Sequence, residues 1–470
     1  MRSWVLRLGR EAAVYGLGKV MIGAFYLLLI PAYTRLLAPE EYGKIELFVQ
    51  LQGLLTCFVV LGADTALAYH FFQVEAHDQD GLRRLVSARV QLLVSIGLTL
   101  SGIVLLTAPL VATLQGGWTL VSLALVGLLA QLCMVASVDL DRLRHRPGMS
   151  VGVNLLYVVL AGLFTLAVMA YSDRRVEAYF FGQIAGGLVA SAVGWYGHRH
   201  LLDLASFQWD EARRLLRTGL PLLPAAVALY ALTNSEKWLI SWFLGAPALG
   251  VYAVAYRLAS VVGFWMESFR QAFWPLAMEA INTEQGPGLF RVIAQLYLTL
   301  STAAIFLLSG VGPLVVEFLV GPRFREAYPL LGILGWPFIL SGLFSVVTPG
   351  FWKCNRSHMI PITAGAAALL SIGLNLVVIP RWGTYGAAAT VVLSYATWNF
   401  ASLAVSERLW PVRFPWLTML ALLAVGVAGT VGITWLTHEG ESGVVATVLT
   451  LAGLVLYYMV RKLASAILRR

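Results

Sequence analysis

The sequence predicts an all-α polytopic membrane protein of about 14 transmembrane helices, arranged as two six-helix halves followed by two further C-terminal helices. Three observations predict it. Hydrophobic residues make up 59% of the 470-residue chain and charged residues 12%, about half the charged share of an ordinary globular domain. The mean hydropathy is +0.78, so too few charges remain to cover a water-soluble surface. The apolar residues also fall into runs of about the length that a bilayer requires of one helix.

Taken in order, the first six runs are 12–34, 45–67, 86–108, 118–139, 150–171 and 177–197. They form an N-terminal half, 1–197. The polar stretch 198–218 reads as a cytoplasmic linker, and runs 219–243, 251–277, 292–319, 328–350, 359–380 and 384–406 form the C-terminal half, 219–406. The segment 407–470 adds runs 416–436 and 443–460 and a basic tail. Residues 1–15 interleave Trp4, Val5 and Leu8 with Arg2, Arg7 and Arg10, the pattern of an interfacial amphipathic helix leading into the first span. A cleaved signal peptide is the alternative, and no small-residue cleavage site clearly follows the run.

Orientation follows from the loops, because basic loops stay cytoplasmic. The loop set that contains the amino terminus carries 22 Lys and Arg, with Arg83, Arg84 and Arg89 counted among them, and the opposite set carries seven. Both termini are therefore expected in the cytoplasm. The same dispersal of charge argues against nucleic acid as the partner of a chain with net charge +9. Cys57, Cys133 and Cys354 form no CxxC and have no histidine pair nearby, so neither a disulfide nor a metal site is expected. A Walker A loop is missing, and no extramembrane segment is long enough for a catalytic domain. No cofactor and no enzymatic activity are expected.

The halves also match one another. A shift of 208 residues lays Leu36, Ala38 and Pro39 on Leu244, Ala246 and Pro247, and a shift of 206 lays Arg175 and Tyr179 on Arg381 and Tyr385. Parallel repeats of this kind are a transporter architecture in which substrate is held near the bilayer midplane. Pro31, Pro221, Pro224 and Pro380 are candidate bends or ordinary span-end prolines. Trp118, Trp242, Trp410, Trp416, Tyr42 and Tyr328 fall near span ends, where aromatic belts belong.

An ionisable group at membrane depth costs about 2.5–3.5 kcal/mol on insertion scales and is a functional candidate. Lys19 lies in the first span, Asn234, Glu236 and Lys237 in the seventh, and Arg257, Glu267 and Arg270 in the eighth. Asp64 lies near the end of the second. Lys237 and Arg257 each fall roughly 10 Å below the outer surface on neighbouring helices. Two cations at one depth call for an anion, and a pyrophosphate suits them. The substrate-binding candidates are therefore Lys19, Asn234, Lys237, Arg257 and Arg270, and the ion-coupling candidates Asp64, Glu236 and Glu267. Lys19 and Arg270 are also placed to snorkel to headgroups. Glu267 and Arg270, three residues apart, are placed to neutralise one another, and Asn234 to hydrogen-bond between helices.

Three motifs bring a resemblance into view: PAYTRLLAPEEYG at 31–43, the stretch from Leu244-Gly245 to Gly250-Val251-Tyr252-Ala253-Val254-Ala255-Tyr256-Arg257, and NLVVIPRWGTYGAA at 375–388. They resemble the polysaccharide transporter family of the multidrug, oligosaccharidyl-lipid and polysaccharide exporter superfamily, which includes the Wzx-type O-antigen repeat-unit flippases. The resemblance implies a flippase that carries an undecaprenyl pyrophosphate-linked oligosaccharide, an O-antigen or exopolysaccharide repeat unit, from the cytoplasmic to the outer leaflet by alternating access. Its partners would be that cargo, the membrane lipids and the polysaccharide polymerase machinery. The arginine-rich amino-terminal signature of the related peptidoglycan-precursor flippases is missing here, which argues against lipid II as cargo. The rival function is a cation-coupled drug antiporter of the same superfamily, which would want acidic cavity residues and usually has twelve spans. A scaffold role in an assembly complex is the third reading, and loops this short give it little surface.

Overall fold

The computed structural model of the chain describes residues 2–74, 78–107, 117–203, 207–438 and 453, which are helical apart from turns and short connections. The helices are α1 (Arg2–Leu36), α2 (Pro39–Val60), α3 (Ala63–Phe71), α4 (Gln79–Thr107), α5 (Gly117–Leu143), α6 (Pro147–Tyr171), α7 (Arg175–Tyr196), α8 (Trp209–Gly219), α9 (Leu223–Ala259), α10 (Val261–Ala280), α11 (Gly286–Leu319), α12 (Tyr328–Val347), α13 (Pro349–Lys353), α14 (Met359–Leu409) and α15 (Trp416–His438). Two compact units divide the chain, Met1–Tyr230 and Ala231–Arg470.

Eleven helical stretches among the described residues are long and apolar enough to cross a membrane. Two of these contain a reversal. Gly245 in α9 and Gly383 in α14 hold φ of +83° and +59°, backbone conformations that side chains other than glycine rarely adopt. Along a straight helix Lys237 and Tyr256 would stand ~28 Å apart, yet the Lys237 ammonium lies 4.2 Å from the Tyr256 ring centroid. Across Gly383, Trp398 Nε1 donates to Thr363 Oγ1 at 3.2 Å, where a straight helix would separate them by ~52 Å. Both helices are hairpins, so the described residues hold thirteen apolar helical segments. The expected last run, 443–460, lies outside the described residues apart from Gly453.

The three motifs are helix corners. At the first, the Arg175 guanidinium of α7 donates to the Leu36 carbonyl that ends α1. Pro39 then opens α2 at a position whose N–H would be unsatisfied anyway, and the Ala38 N–H donates to Glu41 at 2.7 Å. The other two motifs contain Gly245 and Gly383, and a Cβ built on Gly383 would come within 4.0 Å of Leu244 Cδ1. Each unit thus packs its first hairpin corner against the start of a later span.

Several expectations change. The second span ends at Val60, because Leu61 and Gly62 take left-handed conformations at φ 48° and 68°, so Asp64 stands on the separate short helix α3. Arg89, counted above with the loop cations, is buried within the α4 span. Of the candidate proline bends, Pro221 lies in the 3-10 turn between α8 and α9, Pro224 in the first turn of α9, and Pro31 and Pro380 within α1 and α14. Of the aromatic belt, Trp118, Trp242 and Trp416 are exposed, but Tyr42 and Tyr328 are buried. Within the linker stretch 198–218, α8 and Asp203 pack against the first unit. Ala212 and Leu215 of α8 pack with Ala66, Leu67, Leu85, Ala88 and Leu92 of α3 and α4, and Asp203 N–H donates to Ser87 Oγ at 2.7 Å.

Small residues bring helices close. Built Cβ atoms on Gly182 and Gly186 of α7 would fall 2.5 Å from the Ala161 carbonyl oxygen and 2.7 Å from its nitrogen, the close approach of a GxxxG face. Gly186→Leu is expected to destabilise the first unit by about 2–3 kcal/mol, read as a lower thermal midpoint in detergent. A midpoint at the wild-type value would show that α6 and α7 can separate without cost. In the second unit, Trp336 is fully buried and donates to Thr430 Oγ1 at 3.1 Å, which fastens α15 to α12.

Candidate functional site

The second unit gathers the seventh-span candidates. The Gly245 reversal brings α9's later arm beside its earlier one, and Lys237, only 4% exposed, sits with its ammonium over Tyr256 and 3.4 Å from Asn234 Oδ1. A desolvated cation on an aromatic face gains about 2 kcal/mol, and the amide oxygen adds a charge-assisted contact. Tyr256 in turn packs on Phe338 at 5.1 Å between centroids. Asn234 and Lys237 therefore do share one polar face, and the facing helix supplies an aromatic ring at Tyr256, immediately before Arg257. Arg257 is partly buried, and its carbonyl accepts from Ser260 Oγ at 2.6 Å, where α9 ends and α10 begins.

Glu236, the next residue on the helix, faces elsewhere. It is wholly buried, with the phenols of Tyr252 and Tyr395 within electrostatic reach. This region pairs one buried acid with phenols and one buried cation with an aromatic face and an amide.

Glu267 and Arg270 form a bidentate pair at 2.8 and 2.9 Å, and Gln271 Nε2 also donates to Glu267, at 3.1 Å. The charge of Arg270 is largely answered on its own helix.

In the first unit, Lys19 is exposed on α1. Asp64 is exposed and stands within electrostatic reach of Arg89, which has Asp139 near it as well. Arg89 is 5% exposed, and its Nη1 has no hydrogen-bond partner among the described residues. Its place at the start of the apolar run 86–108, just after Arg83 and Arg84, made it pass as a loop cation. Glu46 on α2 was also missed. It is 4% exposed and accepts from Gln50 Nε2 at 2.7 Å, and the Gln50 carbonyl accepts from Tyr230 Oη at 2.5 Å. The spacing Glu46-x-x-x-Gln50 inside an apolar run was the available signal. Gln52, Gln131 and Gln183 join α2, α5 and α7 through bonds of 3.0 Å, interhelical polar contacts typical of membrane bundles. Among the described residues no group of three or more His, Cys, Asp or Glu is placed to hold a metal ion.

Long apolar helices reversing at glycine corners, with ionisable side chains enclosed inside the helical units, define a multi-pass membrane protein of transporter type. The chain belongs to the family described as "Polysaccharide biosynthesis protein", which matches residues 32–326. It is 23% identical over 429 residues to the Haloferax volcanii protein named "Probable low-salt glycan biosynthesis flippase Agl15", covering 88% of this chain and 87% of that protein. Its fold is similar to the structure of "Lipid II flippase MurJ, inward closed conformation", with a TM-score of 0.71 at 12% identity over 97% of this chain and 100% of the other. It is also similar to an outward-facing multidrug resistance MATE transporter, with a TM-score of 0.60 at 14% identity over 88% and 96% of the two chains.

Proposed function

We propose that this protein is a flippase that carries an undecaprenyl pyrophosphate-linked oligosaccharide, an O-antigen or exopolysaccharide repeat unit, from the cytoplasmic to the outer leaflet by alternating access. The buried Lys237 ammonium, held by Tyr256 and Asn234 within a membrane span, is the observation that carries the reading. The family and the flippase relative support it. A cation already stripped of water meets a pyrophosphate without a further desolvation penalty, and it offsets the cost of moving charge and sugars through hydrocarbon.

In this reading Lys237, Asn234 and Arg257 receive the pyrophosphate, and Lys19 and Arg270 serve the cytoplasmic approach. Glu236 couples a proton or sodium ion, because Arg89 already opposes the charge of Asp64 and Arg270 that of Glu267. The chain has fourteen spans, lies in the inner membrane with both termini cytoplasmic, and passes its cargo to polymerase machinery.

Purified protein in liposomes, given fluorescent undecaprenyl pyrophosphate oligosaccharides on one leaflet, should transfer them to the other. No transfer of several such lipids, together with efflux of cationic dyes, would replace this reading with the antiporter, which the likeness to the MATE fold makes the specific rival.

A further inference from the structure

The helix between the two halves carries a second basic region, in the first unit and apart from the Lys237 site. One stripe of α8 (Ala212, Leu215, Gly219) is buried, and the opposite stripe exposes Arg213, Arg214 and Arg217. A hollow of about 1240 Å³ lies at this stripe, lined by those three arginines together with His70, Thr218 and Leu220. At its floor the His70 ring meets Thr218 Oγ1 at 2.9 Å and Gln73 Oε1 at 3.1 Å. Arg214 is engaged by Gln73 at 3.2 Å and Glu211 at 3.7 Å. Among the described residues Arg213 and Arg217 form no ion pair, and Asp210 is the one carboxylate lining the hollow.

Position and apolar surroundings decide which anion fits. α8 lies in sequence between two spans, α7 and the first arm of α9, which fixes it at a membrane face. Leu220 and Leu222 are 50% and 40% exposed beside the arginines, and the exposed Trp209 packs on Phe207 at 4.5 Å. A free anion gains nothing from such a rim. A phospholipid uses both, with its phosphate against the arginines and its glycerol and upper acyl chains against the leucines and the indole.

We propose that this hollow binds the phosphate headgroup of an anionic glycerophospholipid, and that this contact holds α8 on the bilayer surface. The proposal is independent of the flippase reading. The test is native mass spectrometry of the full-length protein in detergent, titrated with phosphatidylglycerol or phosphatidylcholine.

Each arginine near an anionic surface contributes about 1 kcal/mol, or about fivefold in affinity. Arg213→Gln/Arg217→Gln should therefore weaken phosphatidylglycerol binding about 25-fold and leave phosphatidylcholine unchanged. Arg356→Gln/Arg408→Gln, which removes the same charge elsewhere, should leave both unchanged. On the wild type alone, raising NaCl from roughly 0.1 to 0.5 M should weaken phosphatidylglycerol selectively, because exposed charges are screened. Equal retention by the α8 variant, equal loss in the control variant, a salt-insensitive preference, or displacement of the lipid by equimolar inorganic pyrophosphate would each overturn the proposal. The last of these would make the hollow a site for free phosphates.

Discussion

Lys237→Ala is expected to slow transfer of the pyrophosphate-linked oligosaccharide about 10- to 150-fold, the loss of one charge-assisted contact of roughly 1.5–3 kcal/mol. The lysine is 4% exposed and its ammonium is held on two sides, by the Tyr256 ring and Asn234. The alanine variant therefore removes a cation that water cannot replace. Lys237→Arg keeps the charge and should recover most of the rate. Tyr256→Leu keeps the ammonium but removes its aromatic support, and should cost about fivefold. Initial rates in proteoliposomes order the four proteins. Wild-type transfer by Lys237→Ala would remove this lysine from the pathway, and equal losses in Lys237→Ala and Lys237→Arg would make its role one of shape rather than charge.

The largest expected effect on stability lies at the far end of α5. His198 and Asp141 are 1% and 0% exposed and 2.9 Å apart. Arg144 Nη1 lies 3.2 Å from the other ring nitrogen, Nδ1. An arginine only donates, so Nδ1 accepts, and the proton of neutral His198 is on Nε2, donated to Asp141. The second oxygen of Asp141 has no hydrogen-bond partner among the described residues. His198→Ala therefore leaves a buried carboxylate without its donor, at a cost of about 3 kcal/mol. Asp141→Asn, which keeps an acceptor for Nε2–H and loses the charge, should cost about 1 kcal/mol. Unfolding in mixed micelles, followed by a thiol dye at the partly buried Cys57 and Cys133, measures both. A His198→Ala cost below about 1 kcal/mol would show that water reaches Asp141.

The same cluster sets a direction with pH. Desolvation first, then Arg144, His198, Arg146 and Arg199, hold the His200 imidazole below the usual histidine range. The folded chain therefore takes up this proton later than the unfolded chain does. The resulting stabilisation is present above the ordinary histidine pKa and is lost as pH falls through and below it. His200 is exposed, so salt should reduce the effect.

Much of the candidate site was legible as residue types at membrane depth, and less of it as contacts. The motif glycines marked their corners, since Gly245 and Gly383 stand where hairpins reverse. The i, i+3 spacing of Glu267 and Arg270 foretold their pairing. Arg89 and Glu46 stayed hidden. The first lies five residues past Arg84, close enough to pass as a loop cation, and only the packing of α4 against its neighbours buries it.

Apolar run length and the motif residues already establish that this chain crosses the membrane many times, that it belongs among polysaccharide biosynthesis proteins, and where two of its hairpins reverse. Those properties follow from one-dimensional quantities: apolar run length against bilayer thickness, and glycine or proline at positions that a side chain or an N–H would obstruct. The tertiary structure alone decided which charges are enclosed and what answers each: Lys237 by a ring and an amide, Arg270 by Glu267, Asp141 by His198. The 3.6-residue helical period fixes a side chain's angle around its own helix, whereas its partner depends on which other helix lies at that angle, and only folding sets that.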